Sequence, residues 1–132
     1  MEQTALIYVM VLMSAADGTM SDRELFTMHE LVRIMPVFKG YDPDKLPDTA
    51  NDCAELLKGA EGADAVIDQV VKWLPDRLHE TAYSLACDIA AAEGRLRKEE
   101  IKLLEFLRQS LKNGRLPAAA IERAAKARWK TL

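Results

Sequence analysis

One stretch of this sequence is written twice, and the repetition constrains the fold more than any other feature. Ala15-Ala16-Asp17-Gly18-Thr19-Met20-Ser21-Asp22-Arg23-Glu24-Leu25 returns 76 positions later as Ala91-Ala92-Glu93-Gly94-Arg95-Leu96-Arg97-Lys98-Glu99-Glu100-Ile101. An Ala-Ala pair, an acid, a glycine, an apolar residue and a glutamate all keep register. Beyond the turn, Leu25, Met28, Leu31 and Met35 fall on Ile101, Leu104, Leu107 and Leu111, one apolar stripe at helical spacing. The repeated unit is helix, turn, helix.

The residues around the repeats predict further helices. Helix 1 is expected from about Gln3 to Ala16; Leu6, Ile7, Val9, Met10, Val11, Leu12 and Met13 make it apolar nearly all round, the mark of a central helix. Gly18 offers the positive φ that ends helices, and Ser21 with Glu24 three residues on forms a capping box that starts helix 2, reaching about Met35. Pro36, Gly40, Pro43 and Pro47 break up the chain after helix 2, so Val37 to Leu46 is expected as a loop pinned by Phe38 and Tyr41. Asp48 or Thr49 is placed to cap a third helix ending near Lys58, and a fourth is expected from about Ala63 to Trp73.

Pro75 suits the first turn of a fifth helix ending at Ala92, with Ala82, Ala86 and Ala90 spaced to let another helix approach closely. A sixth spans about Arg97 to Lys112 and is closed by Asn113-Gly114; Pro117 opens a seventh that ends in the basic stretch around Trp129. No segment alternates at period two, so no strand is expected. The fold class is all-α: a single-domain bundle of about seven helices over residues 1–132, with pseudo-symmetric repeats at about 3–35 and 76–112. A chain of 132 residues suffices for one core, built here from aliphatic residues, methionine and alanine because aromatics make up only 6%.

Charge narrows the choice of partner. The net charge is -3, yet Lys112, Arg115, Arg123, Lys126, Arg128 and Lys130 face only Glu122 in the tail, which leaves the body strongly acidic and disfavours nucleic acid. Cys53 and Cys87 form no CxxC pair and read as reduced thiols of a cytoplasmic protein. The apolar run Ala5 to Met13 imitates a signal peptide, but Glu2 precedes it with no Lys or Arg, and it is too short to span a bilayer.

The turns carry the one constellation that suggests chemistry. Asp17 and Glu93 stand at the C-terminal ends of their helices, where the macrodipole disfavours a carboxylate by roughly 0.3–1 kcal/mol. Rules broken at matched positions point to function. Unpaired helix-end carbonyls, a carboxylate and the glutamate of the next helix (Glu24, Glu100) form an all-oxygen corner suited to a hard cation, Ca²⁺ or Mg²⁺. Asp88, five residues before Glu93 on a face carrying Leu85 and Ile89, joins the candidate metal ligands. Structural roles compete with these. Asp-Gly is a common turn pair, Glu24 is accounted for by the capping box, a first-turn Glu100 suits the dipole, and Asp88 also fits a satisfied polar residue at an interface. The spacing copies the second half of an EF-hand loop, but Met13, Ala15, Ile89 and Ala91 stand where its first ligands belong.

With Asp17-Gly18-x-Met20-x-x-x-Glu24 and Glu93-Gly94-x-Leu96-x-x-x-Glu100 on two helical hairpins, the chain resembles the TerB-like family of tellurite-resistance proteins over nearly its whole length. The resemblance implies a seven-helix bundle with pseudo-twofold repeats and a non-enzymatic bacterial stress-response role. It also implies acids suspected of holding a divalent cation (Asp17, Glu24, Glu93 and Glu100) and a protein partner among membrane-associated Ter components. The chain departs from the pattern in having Glu93 where the family usually has Asp, with Arg95, Arg97 and Lys98 around it as competing salt-bridge partners. The alternative is a structural interaction domain whose acids are caps and salt bridges and whose methionines form a groove for a partner helix.

Other chemistry finds no foothold. His79-Glu80 begins a zinc-protease motif, but Tyr83 occupies the place of the second histidine. His29 is a lone imidazole. No GxGxxG, GxxxxGK or GxSxG sequence occurs. The basic tail around Trp129 has two docking choices, acidic lipid or the domain's own acidic face, and the second is preferred because one short basic segment anchors weakly to membranes.

Overall fold

The computed structural model describes residues 1–16, 18, 20–92, 94 and 96–132. It is all-α: seven helices and, among the described residues, no strand. They are α1 (Glu2–Ser14), α2 (Asp22–Ile34), α3 (Leu46–Leu57), α4 (Ala63–Trp73), α5 (His79–Ala92), α6 (Lys98–Ser110) and α7 (Arg115–Arg128).

α1 is the axis of the bundle. Every residue from Ala5 to Ser14 is buried, and α3, α4 and α5 pack around it. α5, the counterpart of α1 in the second repeat, is nearly as enclosed and lies between α1 and α7. The alanines at 82, 86 and 90 are each at most 1% exposed, and these small side chains let neighbouring helices approach the α5 backbone. One core runs through the bundle, from Leu6 and Met10 through Val66 and Val70 to Leu85, Leu107 and Ala125.

The repeat is structural as well as textual. Gly18 and Gly94 hold φ of 96° and 77°, and their N–H groups donate to Ala15 O at 3.0 Å and Ala91 O at 2.9 Å. A residue with a Cβ is strained at such angles, so glycine allows both turns. After the turns Glu24 and Glu100 are both buried, as are Met28 and Leu104, and Leu31 and Leu107. The first members of the stripe differ from expectation: Leu25 and Ile101 are exposed, because burial of the glutamate one position earlier turns them away from the core.

The connections also depart from expectation. Residues 37–46 are not plain loop but hold two 3-10 turns, Pro36–Phe38 and Pro43–Lys45. Phe38 is buried and meets the half-buried Tyr41 edge-on, while Gln3 Nε2 donates to Val37 O and Lys39 O and ties the segment to α1. α3 begins at Leu46, ahead of Asp48, since Pro47 is tolerated in a first turn where no intrahelical N–H bond is made. Pro75 precedes a 3-10 turn, Asp76–Leu78, and α5 proper starts at His79. α7 starts two residues before Pro117, again leaving the proline in the first turn. At the end of α6 the left-handed residue is Lys112, φ 55°, rather than Asn113 or Gly114.

Candidate functional site

In the first repeat the capping box is complete: Glu24 N–H donates to Ser21 Oγ and Ser21 N–H to Glu24 Oε1, both at 3.0 Å. In the second repeat Glu100 Oε1 accepts from Arg97 N–H at 3.2 Å. A guanidinium carries only donors, so Arg97 cannot return the bond as Ser21 does. A box of this kind ordinarily sits at a helix surface, yet Glu24 and Glu100 are only 4% and 3% exposed. Two carboxylates at matched positions are thus withdrawn from water, each giving one oxygen to the backbone at the start of its helix. A buried carboxylate is costly unless paired, hydrogen-bonded or bound to a cation. Ser14, in the last turn of α1 and wholly buried, adds a hydroxyl oxygen with no hydrogen-bond partner among the described residues.

Asp17 and Glu93, the other two turn acids, lie outside the described residues. Among the described residues no three His, Cys, Asp or Glu side chains gather closely enough to hold a metal ion. Arg23 reaches from α2 to the last turn of α5, Nη1 to Ala92 O at 3.4 Å, and brings positive charge to a helix C-terminus that favours it.

Asp88 has partners other than those a metal role requires. Its Oδ1 accepts from Arg128 Nη2 at 2.5 Å, Arg128 Nε at 3.2 Å and Trp129 Nε1 at 3.0 Å, so the carboxylate fastens the end of α7 to α5. The tail therefore docks on the domain's own acid. Neither Arg128 nor Trp129 is singled out as a partner of Asp88 by the sequence; the only signal is an acid on an otherwise apolar face of α5 and a cation beside a tryptophan 40 residues on.

Next to this clasp lies a groove of about 920 Å³ between α5, α6 and α7. Tyr83 and Glu122 meet in it, Tyr83 Oη donating to Glu122 Oε2 at 2.6 Å. Burial and that carboxylate push the Tyr83 hydroxyl well above the usual phenol range. Burial likewise raises the Cys87 thiol to about 12, with Glu122 adding to it, and Cys53 to about 12, so neither is a ready nucleophile.

Met10, Met13 and Met28 are buried and Met35 is half-buried, so they fill the core and form no exposed methionine groove. His29 is exposed. His79 is buried and structural: Nδ1 lies 2.7 Å from Leu111 O and Nε2 3.3 Å from Leu74 O, which joins the ends of α4 and α6 to the start of α5. No helix among the described residues is long and apolar enough to cross a membrane. No protein-family model, curated protein or solved structure matches the chain.

Proposed function

We propose that this chain is a non-enzymatic, TerB-like helical module of a bacterial stress response that takes a divalent cation at its duplicated acidic turns. The observation that carries the reading is the matched burial of Glu24 and Glu100, at positions where a capping role alone requires no burial. The residue types fit a hard cation: carboxylates, helix-end carbonyls and, beside the first turn, the unpartnered hydroxyl of Ser14. Glu24 and Glu100 would hold the ion with Asp17 and Glu93. Asp88 is left out because its carboxylate already serves Arg128 and Trp129. The partner would be a protein of the Ter type at the membrane, met from the cytoplasmic side.

The test is calorimetric titration of Ca²⁺, Mg²⁺, Mn²⁺ and Zn²⁺ into chelator-treated protein, with Glu24→Gln and Glu100→Gln alongside. The reading requires saturable binding of at least one ion, a rise in melting temperature, and loss of both in either variant while circular dichroism stays unchanged.

A second reading, an interaction module whose acids are purely structural, draws on the completed Ser21–Glu24 box and the full engagement of Asp88. Absence of heat and of thermal shift with all four ions selects it.

A further inference from the structure

α7 is attached to the bundle differently from the other helices. Only Ala118 and Ala125 of its residues are buried, with Ile121 and Glu122 half-buried, so it alone among the seven buries no hydrophobic side chain larger than that of alanine. Its leucine, Leu116, is 85% exposed. α7 lies close along α5, which its small residues allow, and packs comparably on no other helix among the described residues. On its α6 side lies the groove, open to water, in place of a second supporting helix.

The seat of α7 is therefore thin in apolar area and held by polar ties. Tyr83 Oη donates to Glu122 Oε2 near the middle of the helix, and Asp88 Oδ1 accepts from Arg128 and Trp129 at its end. The members of these ties on α7 already reach water, Arg128 being half exposed and Glu122 half-buried. When the helices part, the Tyr83 hydroxyl, Asp88, Glu122 and Arg128 all exchange a protein partner for water, which costs little on balance. Pulling leucines or isoleucines from a core costs far more. Local opening is cheapest where few apolar side chains are buried.

The chain ahead of α7 marks where it would turn. Asn113 is buried; its Nδ2 donates to His79 O at 3.4 Å and its carbonyl accepts from Arg108 Nη1 at 3.0 Å, so the chain is held to the body up to that residue. Gly114 follows, exposed and with no side chain to anchor it, and α7 begins at Arg115.

We propose that α7 is a detachable strap, hinged at Gly114, which opens as one unit while α1 to α6 stay folded. Opening uncovers the α5 stripe of Tyr83, Cys87 and Ala90 together with Asp88. None of these residues belongs to the acidic turns, so the outcome is independent of the cation reading.

The experiment is amide hydrogen exchange read by NMR on the full chain at several urea concentrations below unfolding, with Tyr83→Phe and Asp88→Asn alongside. The α7 amides from Ile121 to Arg128 should share one opening, at least about tenfold more frequent than the one that exposes the amides of α1, and should respond only weakly to urea. The α1 amides should show the steep urea dependence of global unfolding. Each substitution removes a tie at a different place along α7, yet each should raise exchange of the whole α7 set by about fivefold, the equivalent of one hydrogen bond. Protection that declines residue by residue toward Trp129, with Asp88→Asn acting on the last turn alone, would mean fraying and overturn the proposal. So would α7 amides that exchange together with those of α1 in one global event, or α5 amides from Tyr83 to Ala91 that join the α7 set.

Discussion

Asp88 and Arg128, 40 residues apart, form an unequal ion pair: the aspartate side chain is 4% exposed and the arginine 51%. The inequality predicts which truncation costs more. Asp88→Asn frees an arginine that can turn to water and keeps an amide oxygen for Trp129, so the loss should be about 1 kcal/mol. Arg128→Met strands a buried carboxylate with one indole donor, and the loss should approach about 3 kcal/mol, the range for removing one member of a buried pair. Urea melts of the two variants decide the order; equal losses would mean that the pair acts as an exposed bridge.

The thiols and Tyr83 set an alkaline limit. Cys53 and Cys87 are raised from 9.0 to about 12, and Tyr83 upward from 10.0, in each case first by burial. In the unfolded chain these groups lose protons at ordinary values, whereas the folded chain retains them. The unfolded state therefore binds fewer protons as pH climbs, and stability must fall. The contribution is whole below about pH 9 and is lost progressively toward pH 12. Unfolding free energies at pH 8 and pH 10.5 should show the decline, and Cys53→Ala with Cys87→Ala should make it shallower. In native buffer, alkylation of the wholly buried Cys53 should proceed only at the rate of opening.

Much of this architecture was legible because it is local. The repeat, the glycine turns, the Ser21–Glu24 box and the bounds of α4 follow from residues within a few positions of one another. What escaped sequence reading depends on distant partners. That Leu25 and Ile101 face water follows from the burial of Glu24 and Glu100, which spacing alone does not fix. The Asp88 clasp needs α7 folded back on α5, and the groove lined by Ala125 of α7 and Ala90 and Ala91 of α5 comes with the same packing. Proline read as a boundary misplaced the starts of α3 and α7, since its missing N–H costs nothing in a first turn.

His79 joins three helix ends through two carbonyls, Leu111 O and Leu74 O. A neutral imidazole donates from one ring nitrogen at a time, so His79→Leu removes one hydrogen bond to a helix-end carbonyl in this buried corner. A loss of about 2 kcal/mol is expected, with m-values unchanged. His79→Gln, which restores an N–H donor, should recover most of it. A neutral His79→Leu would show that water replaces the imidazole at the carbonyl it serves.

Lys112 presents the opposite opportunity. It holds φ 55° where α6 ends, the one non-glycine residue with positive φ among those described. Its N–H bonds to Gln109 O and that of Asn113 to Arg108 O, both at 3.0 Å, so the helix end is well closed and the residual cost lies in the backbone angle. The side chain is exposed and has no ion-pair partner among the described residues. Glycine tolerates the angle without the Cβ clash that lysine bears. Lys112→Gly should therefore stabilise the protein by about 0.5–1 kcal/mol, despite the greater freedom glycine gives the unfolded chain. Gly94→Ala, which imposes the same strain at φ 77° with no atom within 4 Å of the new methyl, should cost about 1 kcal/mol. Opposite signs in matched thermal melts would establish that backbone angle, rather than side-chain contact, governs both helix ends. A destabilised Lys112→Gly would instead assign the lysine a contact that holds α6 to α7.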